Sequence, residues 1–154
     1  MSRAESELES REAQPFALET RPDCVGLGLM VKQQARGFGW PEVECAEVAL
    51  LVIELTTNAI NHGKGGTCRV AVSEREVWLE VTDRGPGFPA WVLDDVPKPP
   101  EPEPSRPRTR GLGAGIACAR RLAHLLRLEN PPAGGARVVA ARYRLKRHAT
   151  EEAS

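Results

Sequence analysis

The stretch from Pro41 to Gly63, PEVECAEVALLVIELTTNAINHG, decides how the rest of the chain is read. Pro41 suits a helix start, where a missing N–H removes no bond; Glu42 and Glu44 complement the positive end of the helix dipole, and Gly63 is placed to end the helix. Ala46, Ala49, Leu50, Ile53 and Ile60 fall at spacings of three and four and mark the expected buried face. Within this apolar run Glu54, Asn58 and His62 recur every fourth residue, so they share one stripe, with Asn61 beside them. Taken alone, a satisfied polar surface stripe explains that pattern as well as a binding site does.

Working outward, Thr67 to Ser73 and Val77 to Thr82 alternate apolar and polar residues around Glu74-Arg75-Glu76, which predicts a hairpin. Asp83-Arg84-Gly85-Pro86-Gly87 follows directly. An aspartate at a strand end can accept a hydrogen bond from an exocyclic amine, and glycines after it keep the backbone low enough for a flat ring; the same five residues also make an ordinary turn. Between Phe88 and Arg110 the prolines Pro89, Pro97, Pro99, Pro100, Pro102, Pro104 and Pro107 exclude a regular helix or central strand, so a lid at about 88–110, mobile without ligand, is expected. Gly111-Leu112-Gly113-Ala114-Gly115 then opens a predicted helix from Ile116 to Leu126, where free N–H groups and the dipole favour an anion. Asn130 to Gly135 turns the chain into a last strand, Arg137 to Leu145, whose Arg142 and Arg144, with Lys146 and Arg147, read as a solvated edge face.

Upstream, Phe16 to Thr20 predicts a short edge strand and Cys24 to Arg36 a helix weakened by Gly26 and Gly28. Residues 1–13 and 147–154 are polar and read as disordered tails around one domain, 14–146. The 154 residues carry 21 Lys plus Arg against 21 Asp plus Glu, which removes the net positive field of a nucleic-acid or anionic-membrane binder. MSRAESELES has no apolar core for a signal peptide and no apolar window reaches membrane-spanning length, so a soluble, cytoplasmic protein is expected. Cys24, Cys45, Cys68 and Cys118 are dispersed, without the paired spacing of a zinc site, and read as free buried thiols. Trp40, Trp78 and Trp91 read as packing residues.

In register along the chain, Glu54-Leu-Thr-Thr-Asn58, Asp83-x-Gly-x-Gly87 and Gly111-x-Gly-x-Gly115 resemble the N, G1 and G2 boxes of the GHKL (Bergerat-fold) ATPases. The small size and Glu54 to His62 are similar to the anti-sigma-factor serine/threonine kinases. Ala35 to Trp40, Arg110 to Ile116 and Arg120-Arg121-Leu122-Ala123 resemble their stressosome switch-kinase branch. The resemblance covers about Pro15 to Leu145.

It implies an α+β fold: a two-layer sandwich with a mixed, mainly antiparallel sheet covered on one face by helices. It implies ATP and Mg²⁺ as cofactors, with Asn58 as metal ligand and Asn61 and His62 on the nucleotide stripe. Asp83 would bind the adenine amine, with Gly85 and Gly87 passing the base. Gly111, Leu112, Gly113, Ala114 and Gly115 would present backbone N–H groups to the phosphates, and Glu54 would act as general base. The implied activity is serine/threonine phosphorylation of a STAS-domain antagonist or scaffold. A sigma factor, a downstream phosphatase or a second copy of the chain are further candidate partners, and neither nucleic acid nor membrane is expected. The alternative is an anti-sigma factor that binds ATP without catalysis and sequesters its partner; a histidine-kinase catalytic module ranks lower. The chain departs from the family where Gly135-Ala136 stands in place of the usual Gly-Thr, and in the Pro-rich, acidic lid.

Overall fold

A computed structural model of the chain describes residues 1–9, 13–96 and 112–145. The long helix forms as its sequence dictates: α3 spans Glu42–Gly63 and stops where Lys64 turns left-handed at φ 59°. The elements before it are a helix α1 (Arg3–Glu9), a strand β1 (Phe16–Leu18) and a helix α2 (Arg21–Gly37). After it come β2 (Gly66–Val72), β3 (Glu76–Asp83), a single helical turn α4 (Ala90–Leu93), the helix α5 (Leu112–Leu122), β4 (Leu125–Glu129) and β5 (Arg137–Tyr143). The strands form one sheet in the order β1-β2-β3-β5-β4. Every pairing is antiparallel, so the α+β expectation holds while the mixed sheet gives way to a purely antiparallel one.

Cys68, Val77, Leu79, Val81, Val138 and Ala140 turn one face of the sheet toward α2, α3 and α5, and this layer is the main core. Gly28, which weakened α2 on propensity, is what lets α2 lie against α3. A Cβ there would sit 2.5 Å from Ile53 Cγ1 and 3.1 Å from the Ala49 carbonyl oxygen.

Four expectations are corrected. The tail at 1–13 contains α1, because Ala4 and Leu8, four residues apart, bury against Ala71, Trp78, Val139 and Ala141 on the second face of the sheet. That face is therefore partly covered too. Arg69 fixes the helix by donating to the Leu8 carbonyl at 2.8 Å. The helix expected to reach Leu126 ends at Leu122, because Leu125 and Leu126 pair with Ala141 and Ala140 as the edge strand β4. With that strand outside it, β5 is an inner strand, and Arg142 is buried instead of lying on a solvated edge. Finally, α3 buries Cys45, Val48, Leu51, Val52 and Leu55, while Ala46 and Leu50 of the expected buried face are exposed.

The first turn of the expected lid is helical: α4 buries Val92, despite the prolines that follow. Residues 97–110 of that lid and the tail from Arg147 lie outside the described residues. Trp40 and Trp78 are buried in packing roles, Trp40 donating from Nε1 to the Ser73 carbonyl at 3.0 Å, and Trp91 packs against the core. The four cysteines are free and buried. Burial pushes the Cys68 thiol far above its ordinary pKa, which keeps it protonated and inert.

Candidate nucleotide site

The C-terminal end of α3, the end of β3 and the start of α5 meet around a group of glycines. Asp83 lies at the centre. Its Oδ1 accepts from the backbone N–H of Gly85 at 2.9 Å and of Ala136 at 3.1 Å, and its own N–H donates to the Ala136 carbonyl at 3.0 Å. Arg84 N–H donates to the carbonyls of Gly63 and Gly65, both at 3.0 Å, which ties the aspartate turn to the end of α3. With Oδ1 used twice by the protein, Oδ2 is the oxygen left to meet a ligand: no described residue bonds it.

The glycines are spatial requirements. A Cβ on Gly63 would overlap the Asp83 carboxyl group, one on Gly85 would stand 2.6 Å from Gly63 Cα, and one on Gly135 would overlap the Asp83 carbonyl oxygen. Gly135 also has φ 76°, in the region that favours glycine. Sequence reading found Gly85 but took Gly63 as a helix stop and Gly135 as part of a turn. The signal for both was their distance along the chain from one aspartate that they jointly surround, and only the folded register brings them together.

Along α3, Glu54 and Asn58 come together as their spacing predicts. Gly115 in the first turns of α5 faces both: a Cβ on it would lie 3.3 Å from Glu54 Oε2 and 3.9 Å from Asn58 Oδ1. Asn58 is 9% exposed, and its amide has no hydrogen bond among the described residues. A side chain so placed offers an amide oxygen and two N–H donors. Asn61 is exposed and His62 half-buried, one turn beyond Asn58. Leu112 and Gly113 begin α5 and Ala114 is half-buried, while Gly111 lies outside the described residues. Gly87, with φ 88°, adjoins Asn130, whose amide clamps Phe88 from both sides: Phe88 N–H donates to Asn130 Oδ1 at 2.7 Å, and Asn130 Nδ2 donates to the Phe88 carbonyl at 2.9 Å. Sequence reading missed Asn130.

Residues 46–147 match the family model of the histidine kinase-, DNA gyrase B- and HSP90-like ATPases, about two thirds of the chain. The chain belongs to that ATPase family. Among solved structures, the mycobacterial sensor histidine kinase MprB matches at 17% identity and a TM-score of 0.47, over 84% of this chain and 97% of that one. No curated protein matches in sequence. Membership makes this an ATP-binding domain, and the residues suit the ligand: the Asp83 carboxylate keeps one oxygen that no described residue bonds, which fits a base with an amine, and helix N–H groups at the start of α5 fit phosphates. Among the described residues of this ATPase no helix is long and apolar enough to cross a membrane.

Proposed function

We propose that this ATPase-family chain is a serine/threonine protein kinase of the anti-sigma-factor or switch-kinase type, acting in the cytoplasm on a STAS-domain regulatory partner. The observation that carries the reading is Glu54. Its carboxylate stands beside Gly115, at the helix start where the phosphates are expected, and four residues before Asn58. Binding alone has no need of a carboxylate next to polyphosphate, which it repels; a reaction that takes a proton from an attacking hydroxyl does. In this reading ATP supplies the γ-phosphoryl group. Asn58 contributes an amide oxygen to Mg²⁺, a hard cation that accepts such ligands alongside phosphate oxygens and water. Among the described residues no cluster of three or more acidic, histidine or cysteine side chains stands ready for a metal. Asp83 Oδ2 takes the adenine amine, and Glu54 receives the hydroxyl proton.

A second reading, ATP-dependent sequestration of a partner without transfer, draws on the position after Gly135. There Ala136 offers only a backbone N–H, already spent on Asp83, where a hydroxyl residue could also touch the nucleotide.

The deciding experiment incubates the chain with Mg²⁺, labelled ATP and candidate STAS proteins. Glu54→Gln should lower phosphoryl transfer by about 10²- to 10⁴-fold with nucleotide affinity near the parent value, whereas Asn58→Ala should lose metal-dependent binding as well. Equal transfer by Glu54→Gln and parent would overturn the assignment of the base. Nucleotide binding and capture of a sigma factor with no transfer to any STAS protein would establish the sequestering reading.

A further inference from the structure

The second face of the sheet, turned away from the nucleotide site, carries a cavity. One row of side chains crosses that face: the pairings Arg69↔Glu80, Glu80↔Val139 and Val139↔Arg127 set these four residues level on β2, β3, β5 and β4. Helix α1 packs on β2 and β3, where Arg69 holds it, and Arg127 on the edge strand is exposed. A cavity of about 460 Å³ has α1 and Arg127 among its walls, with Trp78 and Val139 as its apolar lining. That is the volume of a small-ligand pocket.

Some of the charges around this cavity are spent on one another. Glu80 bonds Arg69 through Oε1 and Arg137 through Oε2, and Arg137 also donates to Glu129, each at 2.6 Å. Three lining groups are left over. Arg127 bonds no described residue, since Glu129, the acid two positions along its own strand, is taken by Arg137. On the opposite wall Glu9 bonds no described residue, and the Glu5 carboxylate accepts only from Ser2 N–H, at 3.4 Å. Glu5 and Glu9 stand four residues apart on one side of α1, where like charges repel each other. A simple anion would meet Arg127 and be repelled by the α1 wall, and a simple cation would meet the reverse. We propose that the cavity binds a small dipolar ligand of the ω-amino acid class, its carboxylate on the Arg127 guanidinium and its ammonium on Glu5 and Glu9. β3 and β4 are two strand spacings apart, about 10 Å, so several methylenes separate the two charges and lie over Trp78 and Val139. Glu80 and Trp78 point to the face of β3 opposite Val81 and Asp83, and the inference does not depend on the chemistry proposed around Asp83.

Calorimetric titration of the full chain tests it, with ε-aminocaproate as the probe and caproate and hexylamine as its two halves. The dipolar probe should bind with a dissociation constant of about 1 mM or below. It should bind at least about tenfold more tightly than either half, because each of its charges meets its own wall. Arg127→Gln, at an exposed position, should remove that advantage and bring ε-aminocaproate to the affinity of hexylamine. Glu9→Gln, also exposed, should weaken the probe several-fold. Far-ultraviolet circular dichroism and ATP affinity should match the parent in both variants. Equal affinity for the three probes, parent-like binding by Arg127→Gln, or no binding of ε-aminocaproate at tens of millimolar would each overturn the proposal.

Discussion

The two ends of α3 solve opposite problems with the same kinds of atoms. At the N-terminal end polar groups bond mainly to one another, with Arg142 Nε the one buried donor among them that has no partner among the described residues. Glu44 accepts from Leu145 N–H at 2.9 Å, Glu47 pairs with Arg142 Nη2 at 2.8 Å, and Arg142 Nη1 donates at 2.8 Å to the carbonyl of Leu122, the last residue of α5. Arg142 is 5% exposed, and this one side chain ties β5 to both helices. At the C-terminal end glycines stand where a side chain would collide with the protein: Gly63, Gly85 and Gly135 pack against Asp83 and one another, and Gly115 lies beside Glu54 and Asn58. The first end spends most of its polar capacity on the fold. On the proposed reading the second end serves a nucleotide, and the difference should appear as stability at one end and affinity at the other.

The largest effect is expected from breaking the closed end. Arg142→Ala leaves Glu44 and Glu47 without their buried cation and removes a bond from the end of α5. A loss of about 3–5 kcal/mol follows from opening a buried ion pair on one side, or roughly 10 °C in thermal midpoint for a chain of this size. ATP affinity of the molecules that remain folded should stay at the parent value. A midpoint shift of a degree or two would show that the network is a solvated ornament.

The converse change strikes the open end. Gly63→Ala places a methyl group where the Asp83 carboxyl stands, and this carboxyl must move away from its two N–H donors. Alanine also gains up to about 1 kcal/mol of helix propensity over glycine, which offsets part of the strain. Stability without nucleotide should therefore change little, while ATP affinity measured by calorimetry should fall about 10- to 100-fold. If both fall together, the cradle belongs to the fold and not to the ligand.

What the sequence revealed divides along the same line. The open end was legible because its parts are local motifs: a four-residue stripe on a helix and glycines at fixed offsets from an aspartate. Even there, Gly63 and Gly135 escaped, since their role exists only once β2 and β5 flank β3. The closed end was illegible. Arg142 sits in a run of cations that reads as solvated, and its partners lie about a hundred residues earlier; nothing local announces burial. β4 was hidden because Leu125-Leu126 continues a helical spacing as well as it starts a strand, and α1 because two apolar residues in seven look like a tail until Trp78 lies beneath them.

A smaller effect is expected where the two designs meet. Asn130 is exposed, yet it clamps both backbone groups of Phe88, just past the glycine-rich turn that begins at Asp83. Asn130→Ala should cost about 1 kcal/mol, one hydrogen bond's net worth with the freed groups reaching water. It should also weaken ATP several-fold by loosening the turn, as read by nucleotide titration. A change in stability with no change in affinity would assign Asn130 to the closed end.

The smallest effect concerns pH and the second face of the sheet, where Glu80 bonds Arg69 at 2.6 Å through Oε1 and Arg137 at 2.6 Å through Oε2. Burial alone would raise the Glu80 pKa. The hydrogen bonds and charges of Arg69 and Arg137 outweigh it and hold the carboxyl below its ordinary range. A carboxyl with a lower pKa folded than unfolded contributes stability that is fully present above the unfolded value, about 4.3, and that is lost as pH falls through the folded value. Arg69 also holds α1 through Leu8, so the loss should show first as release of that helix from Trp78. Thermal midpoints of parent and Glu80→Gln should differ between pH 5 and 7 and converge toward pH 3, with Trp78 fluorescence of the parent shifting to the red on the acid side. A gap that stays constant across this range would mean that the pair acts through packing, and that the closed networks of this chain owe nothing to their charge.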